Sequence, residues 1–200
     1  MSVGNANDIL ERWLVAVIAT PGLTALRDPA EARRVLLDDA LAGLELVRRF
    51  EGPIADVGSG GGTPGIPLAA SLPARNVTLL EAERRKTEFL LQWTEALPNL
   101  AVVWGRAEEQ PVETYGVAVA KALAPPPVAA EWCLPLVREG GAAILWVGPS
   151  ADADAVSRAA ERLAGELEEF PPGFFVLRKT GPTPPGFPRR TGMAKKRPLA

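Results

Sequence analysis

Asp56-Val-Gly-Ser-Gly-Gly-Gly-Thr-Pro-Gly65 is the stretch whose reading decides the fold. The apolar run Ile54 to Val57 before it reads as a strand and the residues after it read as a helix, so the glycines occupy a strand-to-helix turn. Gly58, Gly60 and Gly62 allow a tight turn and close approach of a ligand with no Cβ in the way. Thr63 is expected to cap the following helix, with Pro64 at its first position. In open doubly wound sheets, such a loop lies where nucleotide cofactors bind.

Outward from the loop, short apolar runs alternate with helical stretches. Val77 to Leu80, Leu100 to Trp104, Val117 to Ala120 and Ala142 to Val147 join Ile54 to Val57 as strands buried on both faces, and Phe174 to Lys179 reads as a last strand. Glu83 to Leu97 and Pro126 to Val137 read as helices. This alternation predicts an α/β fold with a mostly parallel sheet. Before the sheet, Ile9, Leu10, Trp13, Leu14, Val17 and Ile18 mark an amphipathic helix ending near Pro21-Gly22. A second is expected from about Pro29 to Phe50, with Asp28 as its cap. Three parts follow: an N-terminal helical segment over 1–50 packed on the core, a main domain over 51–180, and a basic, proline-rich tail over 181–200.

Composition narrows the chemistry. The 200 residues are 47% hydrophobic and 23% charged, as expected of a folded chain. The net charge of −2 conceals a division. Arg189, Arg190, Lys195, Lys196 and Arg197 stand in the tail without an acid, and the first 180 residues carry 17 bases against 24 acids. The absence of histidine excludes Ser-His-Asp and Cys-His nucleophiles and imidazole metal sites. A single cysteine, Cys133, excludes an intrachain disulfide and a cysteine metal cage, so no metal is expected. With no basic signal at the start and no apolar run near 20 residues, the chain is expected to be cytoplasmic and away from membranes.

The residues around the loop discriminate among cofactors. No Gly-Lys-Ser/Thr follows the glycines, which excludes a Walker loop. A dinucleotide register, Gly60-x-Gly62-x-x-Gly65, starts late and places Pro64 and Pro67 where free N–H donors are needed. Asp56, two positions before the first glycine, suits a cofactor with a cationic amino-acid end. Glu81, at the end of the second strand, suits a ribose diol. S-adenosylmethionine fits this pair better than NAD.

Residues 56–69 (DVGSGGGTPGIPLA), 77–90 (VTLLEAERRKTEFL), 104–109 (WGRAEE), 121–136 (KALAPPPVAAEWCLPL), 140–144 (GGAAI) and 182–192 (PTPPGFPRRTG) resemble, in order and spacing, the ribosomal small-subunit methyltransferase G family, also called GidB. The resemblance reaches from about Gly22 and includes LTALRDPAEA before the sheet. It implies a class I S-adenosylmethionine-dependent methyltransferase, with a Rossmann-like, mostly parallel seven-stranded sheet and an N-terminal helical extension. It further implies methylation of a guanine N7 in the 530 loop of 16S ribosomal RNA, as naked rRNA or in the 30S particle.

Carried over by position, the family's cofactor contacts fall on Gly58, Thr63, Ala107 and Glu108, with Glu81 as the ribose carboxylate. Three positions depart from the family's pattern. Lys121 stands for its arginine, Val147-Gly148 for its Lys-Gly, and Leu36-Leu-Asp-Asp39 for its His-x-x-Asp. Lys121 is a candidate contact to cofactor or substrate. No catalytic base is assigned, because guanine N7 offers a lone pair and carries no proton. Two other readings stay open: a cofactor-binding RNA or ribosome-assembly module that has lost methylation, and an NAD-dependent oxidoreductase disfavoured by the loop prolines. The tail is either an extended arm on RNA phosphates or a structural arm that packs Phe187 and leaves its bases in water. Trp93, Trp104, Trp132, Trp146 and Cys133 read as core.

Overall fold

The computed structural model describes residues 3–168 and 171–200. Five parallel strands form most of one sheet: β1 (Ile54–Val57), β2 (Val77–Glu81), β3 (Leu100–Trp104), β4 (Tyr115–Lys121) and β5 (Val137–Trp146). β6 (Gly165–Leu167) and β7 (Phe174–Lys179) complete it antiparallel, in the order β3-β2-β1-β4-β5-β7-β6. The seven-stranded, mostly parallel sheet expected from the sequence is therefore present. β6 is the strand that residue patterns alone did not mark. Its three residues contain no apolar run and become a strand by pairing with Leu177 to Lys179.

The helices are α1 (Val3–Ala19), α2 (Pro29–Ala32), α3 (Asp39–Ala42), α4 (Leu44–Arg48), α5 (Gly65–Ser71), α6 (Arg84–Leu91), α7 (Pro126–Cys133), α8 (Ala153–Glu161) and α9 (Met193–Lys196). Strand alternation divides the core between the two faces of the sheet. Ile54, Val117 and Val119 face a cluster with α1 and α5, whereas Ala55, Val57, Ala118 and Ala120 face one with α7, α8, Ala194 and Leu199. Both ends of the chain thus take part in the core. In α1, Trp13 is fully buried and its Nε1 donates to Gly61 O at 2.8 Å, fastening the helix to the glycine loop.

Several boundaries move. The single helix expected over Pro29 to Phe50 is broken: residues Arg33–Asp38 form a π-helical turn, and the helix halts at Gly43. There is no room for a side chain at Gly43, since a Cβ would lie 2.3 Å from the Trp146 ring. Asp28 caps α2 as expected, accepting from Glu31 N at 2.8 Å. Thr63 does not cap α5. Pro64 holds that position, and the Thr63 hydroxyl instead donates to Leu36 O at 2.8 Å, tying the loop to the π-helical turn. Val137, expected to end a helix, begins β5.

Trp104 is not core. It is 61% exposed, because β3 is the edge strand and the indole Nε1 turns back to donate to Ala82 O. Trp93, Trp132, Trp146 and Cys133 are buried as expected, and burial pushes the Cys133 thiol pKa up, leaving it inert.

Candidate functional site

β1 and β4 are adjacent while their connections run to opposite sides of the sheet, so a crevice opens at the carboxyl ends of the strands. A cleft of about 580 Å³ lies there, within the ordinary size of a small-molecule site. The glycine loop, the end of β2, the residues after β3 and β4, and Lys195 of α9 line it.

Five of the loop's amides are already committed. Gly58 N and Ser59 N donate to Leu80 O, Gly60 N to Glu81 Oε2, Gly62 N to Ser59 O, and Gly65 N to Asp56 Oδ2. A pyrophosphate needs free N–H groups at this turn, and these five are spent on the protein. The glycines also differ in purpose. Gly58 has φ +70° and a Cβ there would lie 2.2 Å from Leu123, while at Gly62 (φ +102°) it would lie 2.4 Å from Ile66. Gly60, at φ +55°, has only the Gly58 carbonyl near its missing Cβ, at 3.9 Å, and borders the cleft. Packing therefore demands glycine at Gly58, Gly62 and also Gly65, where a Cβ would lie 2.2 Å from Leu79, whereas Gly60 leaves open space at the cleft.

Two residues expected to meet the cofactor do not reach the cleft. Gly62 turns toward Ile66 and Trp13. Asp56 is 1% exposed and sits beneath the loop, because its position on β1 points it at Gly65 and the α5 face. Its Oδ1 has no hydrogen-bond partner among the described residues. Burial pushes the Asp56 carboxyl up to about 7, against the lowering effect of the Gly65 N–H.

Gly58, Gly60, Thr63, Glu81, Ala107, Glu108 and Lys121 do come together around the cleft. The Glu81 carboxylate is oriented by two amides, with Oε2 accepting from Gly60 N and Oε1 from Glu83 N, both at 2.8 Å. Each oxygen keeps a further lone pair, which is what a ribose diol requires. Glu108 is held from the tail, its Oε1 accepting from Gly192 N at 3.3 Å. The cleft thus carries carboxylates at Glu81 and Glu108, each a local negative charge suited to a cationic group, alongside the cations Arg106 and Lys195.

Lys121 is not a free cation. Its Nζ lies 2.9 Å from Asp39 Oδ2, and its side chain is 12% exposed. The next residue, Ala122, has φ +53°, a backbone conformation that L side chains rarely adopt, at the rim of the cleft. No local signal in the sequence joins Asp39 to Lys121, 82 positions apart.

The tail is neither extended nor uniformly basic toward solvent. Arg189 donates from Nε and Nη2 to the two carboxylate oxygens of Glu131, a residue of α7 with 2% of its surface exposed. That contact removes Arg189 from the candidate RNA-binding bases. Ala194 and Leu199 are buried, and Phe187 packs on the same core cluster. Of the five tail bases, Lys195 lines the cleft, with its Nζ 5.3 Å from the centre of the Trp132 ring. Arg190, Lys196 and Arg197 are exposed.

No three His, Cys, Asp or Glu side chains among the described residues are grouped to hold a metal ion. No described helix is long and apolar enough to cross a membrane.

Known proteins are similar over most of the chain. The ribosomal RNA small subunit methyltransferase G of Symbiobacterium thermophilum is 37% identical over 217 residues, covering 96% of this chain and 87% of the relative. That of Synechococcus elongatus is 36% identical over 198 residues, covering 88% and 82%. Among solved structures, a 16S rRNA guanine N2 methyltransferase of T. thermophilus, in complex with AdoMet and guanosine, superposes with a TM-score of 0.50 at 18% identity, over 72% of this chain and 40% of that one. A putative S-adenosylmethionine-dependent methyltransferase of Methanococcus maripaludis gives a TM-score of 0.52 at 14% identity, over 76% and 90%. These two share the class I methyltransferase fold. The family model described as rRNA small subunit methyltransferase G matches residues 8–170, and with a sheet, loop and cleft of this form the chain belongs to that family, GidB.

Proposed function

We propose that the protein transfers a methyl group from S-adenosylmethionine to N7 of a guanine in the 530 loop of 16S ribosomal RNA. The observation that carries this reading is the cleft itself, where Glu81 is aimed by two amides beside a glycine loop in which five N–H groups are spent on the protein. Such a site rejects a pyrophosphate and accepts a ribose diol. Its residues therefore fit S-adenosylmethionine: Glu81 for the ribose hydroxyls, Ala107 and Glu108 beside the adenine, and the loop around Gly58 and Gly60 for the amino-acid end. When bound, that cofactor supplies the sulfonium methyl.

The chain's own work is binding, alignment and field. Guanine N7 attacks with its lone pair, the C–S bond breaks as the C–N bond forms, and no proton leaves. No general base is required, and a protein without histidine is competent for this step. The Glu81 and Glu108 carboxylates supply the local negative charge that favours a positively charged cofactor. N7 lies in the deep, narrow groove of an RNA duplex, so the target is a loop or unstacked base. The exposed bases Arg190, Lys196 and Arg197 supply phosphate contacts outside the cleft.

The test is transfer of labelled methyl to naked 16S rRNA and to 30S particles. Wild type is expected to label at least one of them, and Gly60→Trp, which fills the open side of the loop, is expected to lose cofactor binding, read by calorimetry on a protein whose circular dichroism is unchanged. A Gly60→Trp protein with normal affinity for S-adenosylmethionine would overturn the site. The neutralised Lys121 and the apolar Val147 favour one second reading, a binding module without transfer, which the same experiment separates by binding without label.

A further inference from the structure

Four cations line the cleft: Lys86, Arg106, Lys121 and Lys195. Two are neutralised, Lys86 by Glu83 at 2.9 Å and Lys121 by Asp39 at 2.9 Å. Arg106 and Lys195 have no carboxylate partner within salt-bridge distance among the described residues.

Lys195 differs from an ordinary surface lysine in how its backbone is held. The segment that carries it is fastened on both sides. Before it, Arg189 grips the buried Glu131 and also donates to Arg197 O at 2.8 Å, closing the segment on itself. After it, Leu199 is buried and its carbonyl accepts from Arg162 Nη1 at 3.2 Å. Gly192 N donates to Glu108, a residue of the cleft wall. Between these points α9 turns the buried Ala194 inward and sets Lys195 against Trp132, which belongs to the same helix as Glu131. One helix, α7, therefore provides both the anchor of the arm and the surface on which Lys195 rests.

We propose that Lys195 is the phosphate contact that seats the target nucleotide at the cleft, and that Glu131, acting through Arg189, is the positioning residue that holds it there. This rests on the RNA methyltransferase reading above. An ammonium is a compact charge with three donors, suited to a phosphate that arrives from solvent. Arg189, by contrast, is consumed in the fork-to-fork geometry that fixes direction as well as distance. The tail's basic residues thus divide into a clamp and a contact, and the clamp is buried where the contact is open.

The experiment uses the full chain, with binding of labelled 16S rRNA and of 30S particles measured across salt concentrations. Lys195→Ala is expected to lower the slope of log K against log salt by about 1 and to raise KM for RNA roughly tenfold. Lys195→Arg is expected to restore both. Glu131→Gln, which keeps the shape and removes the charge, is expected to reproduce the lost slope although Lys195 is intact. Combined with Lys195→Ala it should add nothing further, as two residues acting through one contact require. Arg189→Lys, which loses the fork, is the second clamp variant should Glu131→Gln fold poorly. An unchanged slope in Lys195→Ala, with wild type methylating RNA normally, overturns the proposal and leaves the enzyme reading standing. A fall in affinity for S-adenosylmethionine instead assigns Lys195 to the cofactor and also overturns it. If wild type labels neither RNA nor particle, the enzyme reading fails first and the proposal with it.

Discussion

The cleft has two walls built by different physics. The glycine-loop wall is held by its amides' hydrogen bonds to Leu80 O and to the Glu81 and Asp56 carboxylates and by apolar burial behind it, where Trp13 and Val17 of α1 press on Gly61. The arm wall is held by ion pairs and single hydrogen bonds between residues far apart in the chain, namely Glu131 with Arg189, Glu108 with Gly192 N, and Glu109 with the Thr191 hydroxyl. Buried apolar surface and internal amide bonds respond weakly to salt, and so does the Glu131–Arg189 pair with its buried carboxylate, whereas the exposed bases of the arm are screened by it. A cofactor of constant shape suits the first wall. A polyanion that must enter and leave suits the second.

The strongest test reaches the loop wall from behind. Trp13→Ala removes a fully buried indole and should cost about 3–5 kcal/mol of global stability, read as a lower urea midpoint with unchanged slope. Affinity for S-adenosylmethionine should fall with it, because Gly61 loses its brace. Arg189→Ala should behave differently. It leaves a carboxylate buried without its partner, a loss on the order of 3 kcal/mol, but the arm can release that strain by detaching. Hydrogen exchange at residues 193–197 should then speed up while the global urea midpoint moves little. If Trp13→Ala and Arg189→Ala shift the global midpoint equally, the two walls are one cooperative unit and the contrast fails.

A third effect is a change of pH dependence beneath the loop. The folded-state pKa of Asp56, about 7, lies above its ordinary value of 3.8, so between those values the folded protein holds a proton that the unfolded chain releases. The stability tied to that proton is fully present below about pH 4 and is lost as pH rises through about 7. Asp56→Asn keeps an acceptor for Gly65 N and cannot titrate, so a plot of melting temperature against pH should be flatter than wild type between pH 4 and 7. Parallel curves would show that Asp56 does not hold the proton.

How much was readable in advance follows from how local each feature is. β1 to β5 and β7 were legible from apolar runs, with shifted ends, because buried parallel strands need little beyond their own composition. The place of the loop and of Glu81 at the cleft was legible from their positions beside strand ends, and that of Ala107 and Glu108 from the resemblance to the family. Asp56 was misassigned because the direction of a strand side chain depends on which helix covers that face. Trp104 was misassigned because composition does not say which strand lies at the edge. The break at Gly43 depends on Trp146 and Phe174, more than a hundred residues later, and β6 on its partner strand.

Fold class, family and the place of the glycine loop follow from residue order, since periodicity, turn residues and motif order are properties of neighbours in the chain. That Asp56 supports the loop from below, that Lys121 is neutralised by Asp39, and that one tail arginine grips Glu131 while a nearby lysine borders the cleft depends on contacts made only in the folded molecule. Charge and burial are set by what lies within a few ångströms in space, and for these residues those neighbours come from elsewhere in the chain.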